Sequence, residues 1–194
     1  MVVTRLVHAC YWHDDWSNER AAINVASIPD DIMSLYSKSR RKTIARNTRK
    51  LEQYGRVSFS LQRKGDDFEA ALATFFRLEG LGWKGDAGSA MISQPKHAQF
   101  GRDVAAGFAQ DNRLVIGELR VDDEVIASTL NLISGNTLFA LKIGWDPKYA
   151  NASPGTQSEL QLLKHVSKLD GIEFVDSCAH SGSYVEDVWP WRKK

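Results

Sequence analysis

The 194-residue sequence is poor in cysteine and proline, with two and five respectively, and it holds no apolar run near the ~18 residues that span a bilayer. Cys10 and Cys178 stand far apart without paired spacing. That excludes a disulfide framework and a zinc knuckle and leaves two buried thiols. The opening MVVTRLVHACYW is too short in its apolar part and too polar downstream for a secretory leader, so a cytoplasmic location is expected. An excess of charge is missing too. With 25 basic against 24 acidic residues and a formal net charge of +1, the chain is no histone-like packer of nucleic acid, and 43% hydrophobic residues exclude a disordered tail. No repeat, low-complexity stretch or Pro/Ser-rich linker divides it, and its length suits one core rather than two.

Against that balance one segment stands out. Lys38–Lys50, KSRRKTIARNTRK, holds seven bases in thirteen residues and no acid. If it is helical, Lys38, Lys42, Arg46 and Arg49 follow i, i+4, i+8, i+11 and form one cationic stripe, while Ile44 and Leu51 turn toward the core. Three destinations are open: a solvated face, an anionic small substrate or coenzyme phosphate, and a nucleic acid. The run has no interleaved aromatic, which weighs against the last.

The remaining pattern predicts an α/β fold. A helix is expected from near Pro29, with Asp30 and Asp31 at its positive end, running with a break to Tyr54 and stopping at Gly55. VSFSLQ alternates like a strand. Phe68, Leu72, Phe75 and Phe76 fall at helical spacing in Asp67–Leu81, a further helix covers Pro95–Gln110, and a Gly-rich loop, Gly80–Gly88, lies between them. RLVIGELRV, EVIASTLNLIS and TLFALKIGW are strand-like runs joined by Asp122-Asp123 and Gly135-Asn136, which predicts an antiparallel three-strand meander. TQSELQLLKHVSKL opens with a capping box, Thr156-x-x-Glu159, and reads as a crossover helix leading to a buried strand, Ile172–Asp176, parallel to the last strand of the meander.

Four strings in this order, SKSRRKTIARNTRKLEQYG, LEGLGWKGDAGSA, LFALKIGWDPKYANASPG and FVDSCAHSGSYVEDVWPWR, resemble the GNAT acyltransferase superfamily. Within it they resemble the branch of CelD-type acetyltransferases of polysaccharide biosynthesis, related to the FemAB aminoacyltransferases. The resemblance covers roughly Ala22 to Arg192 and is most specific at Trp83-Lys84-Gly85 and Ser153-Pro154-Gly155. It implies a GNAT-like single mixed sheet with flanking helices over residues 29–194, preceded by an unplaced N-terminal strand or extension over residues 1–28. It also implies transfer of an acyl group from acetyl-CoA or a longer acyl-CoA to an amine or hydroxyl of a small-molecule acceptor, by direct attack and without a metal. Members of the superfamily usually continue into two more strands after the last helix. Here residues 1–28 or a partner chain, in a homodimer for instance, are expected to complete the sheet. An aminoacyl-tRNA-dependent transfer and a non-catalytic GNAT-like binding module stand as alternatives.

The candidate site residues follow from physical chemistry within that frame. Ser153, Pro154, Gly155 and Thr156 open the crossover helix, where free backbone N–H groups and the positive dipole end suit the pyrophosphate of coenzyme A. Lys142 is expected to share a strand face with Leu138 and Ala140. There it would polarise the thioester carbonyl or act as a base, or else pair with a structural carboxylate such as Asp176 or Glu118. Asp176 and His180 lie just beyond a strand end and offer an oriented general base. Trp83 and Lys84 in the Gly-rich loop, with Arg46 and Arg49 on the basic run, are candidates for holding the acceptor.

Overall fold

The structure is a computed structural model, and it describes residues 20–63, 68–82, 85, 87–88 and 90–189. Six strands form one mixed sheet. In chain order they are β1 (Ala22–Asn24), β2 (Val57–Gln62), β3 (Leu114–Val121), β4 (Glu124–Ser134), β5 (Thr137–Trp145) and β6 (Phe174–Asp176), and across the sheet they lie β1-β6-β5-β4-β3-β2. The helices are α1 (Lys38–Glu52), α2 (Phe68–Glu79), α3 (Pro95–Gln110), α4 (Pro154–His165) and α5 (Val185–Val188).

Strands β2 to β5 run antiparallel, and the tight turns joining β3 to β4 and β4 to β5 hold residues in the left-handed region, Asp122 at φ 50° and Gly135 at φ 59°. Strand β6 returns parallel to β5 through α4, as the strand-helix-strand pattern predicts. Strand β1 pairs antiparallel with β6 through Ala22–Asp176, Ile23–Val175 and Asn24–Phe174, so the N-terminal side of the chain supplies the strand beyond β6.

Alternation along the strands sends side chains into two layers. Val115 and Leu138 join Ile44 of α1 and Leu160, Leu162 and Leu163 of α4 on one face. Leu114, Ile116 and Leu130 join Phe68, Leu72, Phe75 and Phe76 of α2 and Ala105 of α3 on the other. Each such side chain that leaves water contributes about 1.5–3 kcal/mol, and Phe75, Leu114, Ile116 and Leu138 are wholly buried.

Three boundaries depart from expectation for local reasons. The segment after Pro29 forms only a 3-10 turn, Ile32–Leu35, with the Asp31 side chain accepting from Met33 N–H. Tyr36 is then extended, its hydroxyl donating to the Val188 carbonyl, and α1 starts afresh with the Ser37 hydroxyl capping Arg40 N–H. The last strand is shorter than Ile172–Asp176, beginning at Phe174. The Thr156-x-x-Glu159 capping box does not form: Pro154 already occupies the first turn of α4, and Glu159 is buried, accepting a 3.1 Å hydrogen bond from Trp189 Nε1.

Candidate active site

Strand β5 organises the site because its two edges end differently. It pairs with β4 from Thr137 to Trp145, whereas its pairing with β6 covers only Thr137–Phe139. Strand β6 ends at Asp176, opposite Phe139, while β5 runs on to Trp145, and Ile143 and Trp145 in that stretch lie beside the start of α4.

A bulge in β5 then decides which side chain faces which helix. Ala140 stands opposite Asn131 and Lys142 opposite Leu130, leaving Leu141 as the extra residue. Leu138 and Ala140 therefore pack on the α1/α4 side, but Leu141 packs on the α2/α3 side, and Lys142 follows it there. Ile143 and Trp145 return to the α4 side, where a Cβ built on Gly155 would meet Trp145 Cδ1 at 3.3 Å and Ile143 Cδ1 at 3.8 Å. Strict alternation had placed Lys142 beside Leu138 and Ala140; the bulge turns it over.

On the α2 side Lys142 meets a carboxylate that sequence reasoning passed over. Its Nζ lies 3.6 Å from Glu79 Oε1, so the partner is neither Asp176 nor Glu118. Glu79 closes α2, is 0% exposed, and accepts a 2.8 Å hydrogen bond from Met91 N–H on Oε2. Oε1 makes no hydrogen bond among the described residues. A signal was present, because Glu79 lies four residues after Phe75 and three after Phe76, on the face that buries α2. Glu118 is committed elsewhere, accepting from Arg120 Nη2 at 2.8 Å.

Two cavities share Ile143 and Trp145 in their linings. The first, about 320 Å³, lies against the start of α4 and is lined also by Ser153, Pro154, Gly155, Thr156 and Tyr184. The second, about 230 Å³, lies between the end of α2 and β5 and is lined by Leu78, Glu79, Leu81, Gly82, Gly144 and Pro147 as well.

At the first cavity Ser153 precedes α4 in the left-handed region, φ 53°, and no side chain caps the helix start. The serine hydroxyl instead accepts from Asn47 Nδ2 at 3.2 Å. Gln157 ties the same turn to α1, donating to the Ile44 carbonyl at 3.3 Å and accepting from Thr48 Oγ1 at 3.2 Å. Helix α1 thus buttresses the mouth of the cavity with Ile44, Asn47 and Leu51 inward, while Lys38, Lys42, Arg46 and Arg49 form the exposed cationic face its spacing predicts.

The other predicted residues fall away from this centre or outside the description. The Asp176 carboxylate is held by Arg20 Nε at 2.7 Å and accepts from Cys178 N–H at 2.8 Å. His180 is exposed, and among the described residues no hydrogen bond joins it to Asp176. The structure does not assemble the oriented Asp-His base. Burial, then the neighbouring Asp176 charge, pushes the Cys178 thiol up to about 11, which makes it a poor nucleophile. Trp83 and Lys84 lie outside the described residues. Among the described residues no group of His, Cys, Asp and Glu is placed to hold a metal, and no helix is long and apolar enough to cross a membrane.

A family model described as an acetyltransferase (GNAT) domain matches residues 38–184. No curated protein matches the chain. Among solved structures, FemX superposes with a TM-score of 0.60 at 9% identity over 94% of this chain and 61% of its own. A conserved protein of unknown function from Bacteroides thetaiotaomicron gives 0.56 at 11% identity, over 91% and 56%. A C-terminal domain assigned to a lysylphosphatidylglycerol synthetase from Agrobacterium fabrum gives 0.51 at 11% identity, over 82% and 46%. At such identities the likeness is one of fold, and the chain spans only about half to three-fifths of the length of these proteins.

Proposed function

Because the chain belongs to the acetyltransferase (GNAT) domain family, we propose that it moves an acyl group from a coenzyme A thioester, acetyl-CoA or a longer acyl-CoA, to an amine or hydroxyl acceptor by direct attack. One observation carries the reading: β5 outruns β6, and the start of α4, where among the described residues no side chain caps the helix, shares a cavity with that far part of β5. The first-turn N–H groups and the positive end of the dipole there favour the donor's pyrophosphate. Gly155, whose missing side chain leaves Trp145 and Ile143 accessible, lets the donor's arm lie against β5. Lys142 stands on the opposite, α2 face of β5. In this scheme its ammonium donates to the thioester oxygen and to the oxyanion that forms on attack. Asp176 and His180 take no proton in this scheme, since Arg20 and Cys178 already engage the Asp176 carboxylate.

Titration calorimetry with acetyl-CoA and with a longer acyl-CoA, at low and moderate salt, tests the donor. Micromolar binding is the expected result. A sharper check is Thr156→Glu. Thr156 is the third residue of α4, where a carboxylate stabilises a helix by about 0.3–1 kcal/mol. The variant is expected to be as stable as the parent in urea, yet to bind acetyl-CoA at least ~10-fold more weakly because like charges meet at the pyrophosphate. Equal affinity would remove the donor from this helix start.

The exposed stripe of Lys38, Lys42, Arg46 and Arg49 favours one competing reading, an aminoacyl-tRNA donor. Retention of tRNA that weakens steeply between 50 and 200 mM salt, together with no binding of acyl-CoA, would select it.

A further inference from the structure

We propose that the cavity between the end of α2 and β5 receives the acceptor, and that the acceptor's reacting group is a hydroxyl whose proton passes to Glu79 Oε1. The inference rests on the acyltransferase reading above and names the substrate class that reading leaves open.

Glu79 is built for more than structure. Its Oε2 is fixed by Met91 N–H at 2.8 Å, so the carboxylate is oriented. Among the described residues its Oε1 is buried and accepts no hydrogen bond, the residue lines the cavity, and Lys142 Nζ stands at 3.6 Å, beyond ordinary hydrogen-bond length. A purely structural ion pair in a dry interior would close that gap, because a buried lone pair left open is costly. A ligand that reaches this atom from the cavity would supply the donor it lacks.

The charge balance selects the kind of ligand. Among the described residues Lys142 already offsets the one carboxylate that lines the cavity, and the other lining side chains, Leu78, Leu81, Pro147, Ile143 and Trp145, are apolar or, for the indole, donor only. An alkylammonium would shed its hydration to enter and then stand beside the Lys142 ammonium without a carboxylate of its own. A hydroxyl is neutral, costs far less to desolvate, and supplies the single donor that Oε1 lacks. Ile143 and Trp145 line both cavities, so the proposal sets the nucleophile in the second across β5 from a thioester held in the first.

In the reaction the hydroxyl oxygen bonds to the acyl carbon as its proton moves to Glu79 Oε1. The oxyanion is stabilised by Lys142. On collapse the carbon–sulfur bond breaks, and the sulfur leaves with the electron pair and takes up the proton from Glu79. The products are an ester and a free thiol, with no net gain or loss of protons.

The test uses the whole chain with acetyl-CoA, first measuring donor affinity, then thiol release with ethanol or ethylamine at equal concentration, with mass spectrometry to tell ethyl acetate from the amide. Ethanol is expected to raise thiol release and yield ester, whereas ethylamine yields little amide. Glu79→Gln, which keeps an acceptor for Met91 N–H, is expected to lower protein-dependent thiol release by ~100-fold or more while leaving acetyl-CoA affinity within about twofold. Leu81→Trp, which fills the cavity without touching Glu79, should also suppress release at unchanged donor affinity, and it serves if Glu79→Gln does not fold. Amide formed in preference to ester overturns the hydroxyl assignment, and an unimpaired Glu79→Gln overturns the role of Glu79. Bound donor with no thiol release above the uncatalysed rate overturns both. A folded parent that binds no acetyl-CoA fails earlier, at the donor reading, and takes the acceptor assignment with it.

Discussion

Replacing Gly144 by alanine is expected to destabilise the protein by roughly 3 kcal/mol or more, a large effect for one methyl group. A Cβ at that position would lie 2.3 Å from the Glu79 amide nitrogen, 2.6 Å from Glu79 Cα and 2.6 Å from the Leu78 carbonyl carbon. These are backbone atoms of α2, and no rotamer change relieves them; the end of the helix must move off β5. That movement carries Glu79 away from Lys142 and Met91 and deforms the cavity they border. Denaturant unfolding reads the loss, and Gly107→Ala supplies the contrast. Gly107 lies inside α3 with nothing within 4 Å of a built Cβ, so alanine there should stabilise by about 0.5–1 kcal/mol. If Gly144→Ala unfolds at the parent's denaturant concentration, α2 does not rest on β5 as described.

The second large effect is a dependence on pH. Glu159 lies inside α4, and burial raises its carboxyl from the ordinary 4.5 to about 7, against the smaller opposing pull of the Trp189 N–H. The folded state therefore binds this proton more tightly than the unfolded state. The stability it confers is fully present below about pH 4.5 and is lost as pH rises toward 7. Glu159→Gln keeps an oxygen for Trp189 Nε1 and cannot ionise. It is expected to flatten the profile in that window and to exceed the parent's stability above pH 7 by roughly 2 kcal/mol. Unfolding midpoints measured from pH 5 to 8 decide the matter; parallel profiles for the two proteins would mean that Glu159 is hydrated in the folded state.

Much of the fold was legible because local rules and global architecture agree. Asp122-Asp123 and Gly135-Asn136 announced the meander, Pro95 marked the start of α3, and the parallel return through α4 followed from the order of apolar runs. The start of α4 was legible for a similar reason, since Pro154 and Gly155 mark a helix start wherever they sit after a strand. Resemblance to the superfamily carried the sequence further, and the family match over residues 38–184 agrees with it. The surroundings of Lys142 were hidden by two things that pattern reading does not see. Period-two reasoning assumes one residue per step, and the extra residue in β5 breaks it at Leu141. Glu79 drew no reading at all, because a charge near a helix end is ordinary, although its spacing from Phe75 and Phe76 places it on the buried face of α2. The paired reading of Asp176 and His180 failed differently, because the partner that claims Asp176, Arg20, is 156 residues away in sequence.

The extra residue in β5 also sets what kinds of change the strand can bear. Substituting Leu141 alters what is packed against α2, and neighbours can adjust to that. Deleting it would make Ala140 and Lys142 successive residues opposite Asn131 and Leu130, a regular ladder in which Lys142, Gly144 and Trp145 keep the faces they have. Deleting Ile143 instead would drive Trp145 into the tight contact that Gly144 now makes with the end of α2, so the strand can spare its extra residue but no other.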